Sequence, residues 1–145
     1  GKHLVILQHG FLGSGYDMRL FAQTVKILCP GNVHVHTAIA NERCSQDSIS
    51  TMGKNLRNEI INLIHDKHPE FLEEEFQRDD LRISFIAHSM GGLIVRSALQ
   101  EKELHFLRNK LHIFLSLAVP HLGSSFPESS LVSTGMWALS KFKNC

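Results

Sequence analysis

Ser89 stands in the stretch "SFIAHSMGGLIVRSAL", Ser84 to Leu99, where an apolar run stops at His88-Ser89-Met90-Gly91-Gly92 and a helix-like pattern begins. A serine hydroxyl attacks a carbonyl only when a base takes its proton and N–H donors receive the oxyanion that develops. A tight turn from strand into helix meets part of that demand. It exposes Oγ, aims the N–H of the next residue (Met90) at the reacting carbonyl, and adds the positive end of the helix dipole. Such a turn brings together the residues two before and two after the serine, so both must be small; here they are Ala87 and Gly91. The common pattern G-x-S-x-G is A-H-S-M-G in this chain, one methyl group away. The competing reading makes Ser89 the N-cap of the following helix, a role to which serine is equally suited.

An oxyanion hole needs a further N–H from another loop. The stretch "LVILQHGFLGSGYDM", Leu4 to Met18, supplies an apolar run closed by His9-Gly10 and a glycine-spaced loop. Phe11 would donate its backbone N–H, Gly10 would let the chain approach the substrate, and His9 would shape the loop rather than transfer protons. The loop lacks both the G-x-G-x-x-G spacing and the Gly-Lys-Ser/Thr of nucleotide binders, which argues against a nucleotide-binding fold. His88 would point away from Ser89 if the turn is a true elbow.

These residues need strands and helices to hold them. Continuous apolar or β-branched runs predict strands at Leu4–Leu7, Val33–Ile39, Leu81–Ala87 and Leu111–Ala118. Helical spacing predicts helices from Asp17 to Leu28, Ser48 to His68, Met90 to Glu101 and Leu131 to Phe142, with a shorter piece from Glu70 to Phe76. Strand and helix alternate four times. That order implies right-handed crossovers and a mainly parallel sheet with helices on both faces, an α/β fold of one domain over 1–145. In such sheets functional groups gather at the carboxyl ends of the strands. Those ends are His9-Gly10-Phe11, Ala40-Asn41-Glu42, His88-Ser89-Met90 and Val119-Pro120-His121.

The base and the acid are harder to find. The expected order is serine, acid, histidine. After Ser89 the acids are Glu101, Glu103 and Glu128, and the histidines are His105, His112 and His121. Glu101 and Glu103 fall at the far end of a helix, and no histidine follows Glu128. His121 alone sits at a strand end, but it precedes every well-placed acid, so it is a weak candidate for the base.

"HGFLGS", "AHSMGGLIVR" and "LSLAVPHLGSS" together resemble three landmarks of the lipase-like serine esterase family of α/β-hydrolases. "GYDMRLF", "ANE" and "STGMWALSKFK" resemble, more narrowly, the carboxyl-terminal esterase-like domain of its eukaryotic branch. The resemblance implies an α/β-hydrolase fold and cleavage of carboxylic, lipid-type esters through a Ser89 acyl-enzyme. It also implies that the histidine of Pro120-His121-Leu122-Gly123 is not the base, and that acid and base come from strand ends beyond Cys145, which makes this chain a partial domain. The other class of function is a non-catalytic α/β-hydrolase module that binds a lipid or protein partner.

Bulk properties fit either function. A formal charge of +1 and 43% hydrophobic residues describe an ordinary globular chain, with no basic block for nucleic acid. Glu73-Glu74-Glu75 reads as a solvated helix face. The ten histidines show no zinc spacing, and His34 and His36, alternating on one strand face, read as structural. No metal or organic cofactor is implied. No apolar run approaches the ~20 residues of a membrane span. Three widely spaced cysteines, Cys29, Cys44 and Cys145, argue against a disulfide framework and favour a reducing, cytoplasmic setting.

Overall fold

Leu4-Val5-Ile6-Leu7 lies at the centre of a parallel sheet, each side chain no more than 4% exposed. Burial on both faces is why this run does not alternate with polar residues. The computed structural model describes residues 1–42, 44, 47–72 and 80–122. The strands are β1 (Lys2–Gln8), β2 (Val33–Thr37), β3 (Leu81–His88) and β4 (Leu111–Leu117), and the helices are α1 (Arg19–Leu28), α2 (Ile49–Lys67) and α3 (Gly91–Gln100). The sheet order is β2-β1-β3-β4, with every neighbouring pair parallel.

The two faces are packed differently. Leu4, Ile6, Ile83, Phe85 and Ala87 meet the stripe Met52, Leu56, Ile60 and Ile64 of α2 and Ile94, Val95 and Ala98 of α3. On the other face Val5, Leu7 and Met18 form a smaller cluster, closed by Ala22 and Val25 of α1. The large apolar residues that define α1 in the sequence, Leu20, Phe21, Ile27 and Leu28, are exposed instead. α2 starts on Ser48, whose Oγ accepts the Thr51 N–H at 3.1 Å, a standard N-cap.

The described elements depart from expectation in two places. Lys102–Lys110 is a 3-10 helix where the sequence suggests none. Its three-residue turn puts Leu104 and Leu107 on one side, and both are buried. Of the helical piece expected from Glu70 to Phe76, the described residues show a 3-10 turn, Pro69–Phe71, that buries Phe71, and residues 73–76 lie outside them. Glu73–Glu75, Glu128, the expected helix Leu131–Phe142 and Cys145 lie outside the described residues.

Strand order decides where chemistry can occur. β1 and β3 are neighbours, yet the helix after β1 packs on one face and the helix after β3 on the other. A crevice opens between their carboxyl ends, as it does at the switch point of any open α/β sheet. His9-Gly10 and Ser89 are the two ends that meet there.

Candidate active site

Ser89 has φ +53°, in the left-handed region. For a residue with a Cβ this costs about 1–3 kcal/mol and persists only where neighbours fix it. Here its N–H donates to the Leu117 carbonyl of β4 at 2.8 Å, and its carbonyl accepts the Gly92 N–H at 3.1 Å. The N-cap alternative does not fit this geometry. A cap has extended backbone, α3 begins at Gly91, and no side chain caps it.

From the residues alone, crowding within the turn itself is what requires small neighbours of Ser89. The structure gives a different reason. A Cβ on Gly91 would lie 2.5 Å from the His9 carbonyl oxygen and 2.7 Å from that of Gln8. A Cβ on Gly10 would lie 2.8 Å from the Ser89 Cβ and 2.9 Å from the His88 carbonyl oxygen. The turn and the His9-Gly10 loop are thus packed backbone against backbone, and each needs a glycine because of the other. Ala87 is fully buried and pairs with Gln8 across the β1–β3 ladder, where a methyl group fits.

Leu12 (φ +54°) and Ala118 (φ +52°) are the only other non-glycine residues with positive φ among the described residues, and both follow the ends of strands. Leu12 and Ser89 line one crevice, a common property of functional sites, and Ala118 follows Leu117, whose carbonyl accepts the Ser89 N–H. A cavity of about 540 Å³ opens there, lined by His9, Phe11, Met18, Phe21, His88 and Ser89, among others. Phe11 is 40% exposed at its mouth, His88 is also exposed, and Met90 is half-buried.

The polar groups beside the cavity are mostly committed. His9 is 1% exposed, and its Nδ1 lies 3.1 Å from the Gly10 carbonyl oxygen. That oxygen can only accept, so Nδ1 carries a proton, and the buried Nε2 has no partner among the described residues. Asp17 accepts the Ser14 N–H at 2.7 Å. This bond, with one from the Ser14 hydroxyl, holds its carboxyl below the usual carboxylate range.

The histidines that follow Ser89 are engaged elsewhere. Arg96 Nη1 donates to His121 Nδ1 at 3.2 Å, so Nε2 carries the proton and donates to Ser116 Oγ at 3.1 Å. Both ring nitrogens of His121 are occupied away from Ser89. His105 lies 2.8 Å from Arg108, and His112 lies 3.5 Å from Arg82. Glu101 and Glu103 both pair with Arg57 at 2.9 Å, on the α2 side of α3. Of the candidate residues, the fold gathers Ser89, Gly10, Phe11, His9 and His88 at one cavity and leaves His121 beside Arg96.

Sequence reasoning places Glu42 at a strand end without giving it a role, and misses Glu59. Gly15 of the loop donates its N–H to Glu42 Oε1 at 2.7 Å. Glu59 of α2 accepts from His36 at 2.8 Å and from the N–H groups of Ile39 and Ala40, closing the end of β2. A carboxylate on a polar helix face, as at Glu59, or in the turn after a strand, as at Glu42, gives no local sign of such long-range bonds.

Two solved structures share this arrangement of elements. The Bacillus licheniformis lipase BlEst2, in propeptide form, superposes with a TM-score of 0.57 at 16% identity, over 85% of this chain and 23% of the lipase. The phospholipase PlaB from Legionella pneumophila, in complex with thio-NAD, gives 0.51 at 20% identity, over 85% of this chain and 28% of that one. This chain thus spans about a quarter of either protein's length, and the likeness shows the α/β-hydrolase fold of the part they share. The match to a family is broader, for residues 1–145 fit the family described as "Putative serine esterase (DUF676)", and the chain belongs to that family.

Proposed function

We propose that this chain is part of a single α/β-hydrolase domain that cleaves carboxylic, lipid-type esters through an acyl-enzyme on Ser89. The observation that carries this reading is the left-handed Ser89 at the end of β3, backed by Gly10 of the neighbouring loop. Ser89 Oγ attacks the ester carbonyl, and its proton passes to a histidine from outside the described residues. The N–H groups of Met90 and Phe11 take the oxyanion. Collapse of the tetrahedral species expels the alcohol, which receives the proton, and water then releases the acid by the same steps in reverse.

Phe11, Met18 and Phe21 beside Ser89 favour an apolar acyl chain. The lipase and phospholipase with this fold agree with that class of substrate. No helix among the described residues is long and apolar enough to cross a membrane. The free thiols of Cys29 and Cys44 accord with a reducing, cytoplasmic setting.

A second reading, a binding module without catalysis, draws on the engagement of His105, His112 and His121 away from Ser89. Fluorophosphonate labelling of the full-length protein separates the two. Labelling at Ser89, located by mass spectrometry and lost in Ser89→Ala, supports the esterase. A folded full-length protein that does not label refutes it.

A further inference from the structure

We propose that Glu42, at the end of β2, is a positioning residue that holds the oxyanion loop in register with Ser89; this rests on the assignment of the Phe11 N–H to the oxyanion. The loop from Gly10 to Met18 has its own local bonds. Gly13 N–H donates to the Gly10 carbonyl at 3.1 Å, and the Ser14–Asp17 pair closes the next turn. Such bonds fix the shape of a loop but not its place. Contact with the serine turn at Gly10 places one end. Met18, in the smaller core cluster, places the far end, and between them the Gly15 N–H donates to Glu42 Oε1 at 2.7 Å, across 27 residues of chain.

The anchor is itself fixed. The Glu42 N–H donates to the Ile39 carbonyl at 3.1 Å, closing a turn directly after β2. Asn41 is 2% exposed, and its amide donates to the Met52 carbonyl at 2.9 Å and accepts from Asn55 at 3.1 Å. The end of β2 is thereby bound to α2, and the Glu42 carboxylate carries that fixed position to the loop. A Cβ on Gly15 would sit 3.2 Å from Glu42 Oε1, so the carboxylate rests directly against the loop backbone. Between Gly10 and Gly15 lies Leu12 in left-handed backbone, beside Phe11. Strain of this kind persists only while the surroundings over-determine it. Release of Gly15 lets the segment relax and withdraws the Phe11 N–H from the place where charge develops.

The test compares wild type, Glu42→Ala, Glu42→Asp and Glu42→Gln in the full-length protein. The readouts are the fluorophosphonate labelling rate at Ser89, kcat and KM for a short p-nitrophenyl ester, and hydrogen exchange of residues 9–18. Removing an oxyanion donor costs ~100–1,000-fold, so a displaced donor is expected to cost ~10–100-fold in kcat and labelling, with KM within ~3-fold. Glu42→Ala and the too-short Glu42→Asp are expected to show this loss, with loop exchange faster by ~10-fold or more. Glu42→Gln keeps an oxygen acceptor and stays within ~3-fold of wild type on every readout.

Wild-type labelling and unchanged loop exchange in Glu42→Ala would overturn the inference. So would a Glu42→Gln as slow as Glu42→Ala with its loop still protected, which would make the charge, not the tether, the active element. Should wild type itself not label, the esterase reading fails and the exchange arm still decides the tether. Protection of residues 9–18 lost in Glu42→Ala and kept in Glu42→Gln supports it, and equal protection in all variants refutes it.

Discussion

Gly10→Ala tests the packing that joins the two halves of the site. The added Cβ would lie 2.8 Å from the Ser89 Cβ and 2.9 Å from the His88 carbonyl oxygen, where ordinary contact begins at 3.4 Å. Loop and turn must therefore separate by ~0.6 Å, because neither neighbour is the free end of a flexible side chain. Overpacking of this kind costs about 1–3 kcal/mol, and ~3 °C of Tm per kcal/mol in a domain of this size. The larger effect is geometric. A misplacement of ~1 Å can cost ~100-fold in rate, so a 0.6 Å shift between Ser89 and the Phe11 N–H is expected to slow labelling ~10–100-fold. Gly31→Ala is the control. Gly31 has φ +122° and nothing within 4 Å, so alanine there strains backbone without displacing anything. Both variants lose stability, by thermal melts, and only Gly10→Ala loses fluorophosphonate reactivity at Ser89. Wild-type labelling in Gly10→Ala, or an equal loss in Gly31→Ala, would refute the claim that the two glycine-bearing turns specify each other.

Three further outcomes follow from the same geometry. His121→Ala is expected to leave Ser89 labelling within ~3-fold of wild type, since Arg96 and Ser116 already hold both ring nitrogens; a loss of ~1,000-fold would make His121 the base after all. Burial pushes the Glu59 carboxyl up, but bonds from His36, Ala40 and Ile39 outweigh it and hold the group below its ordinary 4.5. The stability Glu59 confers is thus present above pH 4.5 and lost as pH falls through the lowered folded value. Glu59→Ala should cost about 2–4 kcal/mol at pH 7 by urea unfolding, and an unchanged midpoint would sink this account. His68 is held below 6.5 by burial and then by His34, and His3 by burial and then by His112 and Arg82. The unfolded chain takes up these protons first, so stability should fall as pH drops from 6.5 toward the folded values. His68→Asn should flatten that slope in urea midpoints measured between pH 7.5 and 5; a slope identical to wild type would contradict it.

The local pieces are legible in the residues alone. Continuous apolar runs define β1 and the centre of β3, because a strand buried on both faces has no polar alternation to keep; the run of β4 is apolar too, but Leu111, Ile113, Phe114 and Leu115 are exposed among the described residues. The stripe Met52, Leu56, Ile60 and Ile64 defines α2 and its buried side, and each is fully or almost fully buried. His9-Gly10 and Ala87–Gly91 stood out because few residue types fit a tight turn at a strand end. Periodicity states which side of an element is apolar, but not which neighbour covers it. Hence α1 is legible as a helix, while its covered side is Ala22 and Val25 rather than its larger apolar residues.

The adjacency of β1 and β3 emerges from the folded sheet; it brings Gly10 against Ser89 and makes a cavity of two separate turns. The tertiary structure also decides which side chains are engaged elsewhere. Glu42 reaches Gly15, Glu59 closes β2, Arg57 takes Glu101 and Glu103, and Arg96 takes His121. Each of these bonds joins residues about 20 or more positions apart. Contacts of that range depend on strand order and crossover handedness, which residue types and spacing constrain only as a class.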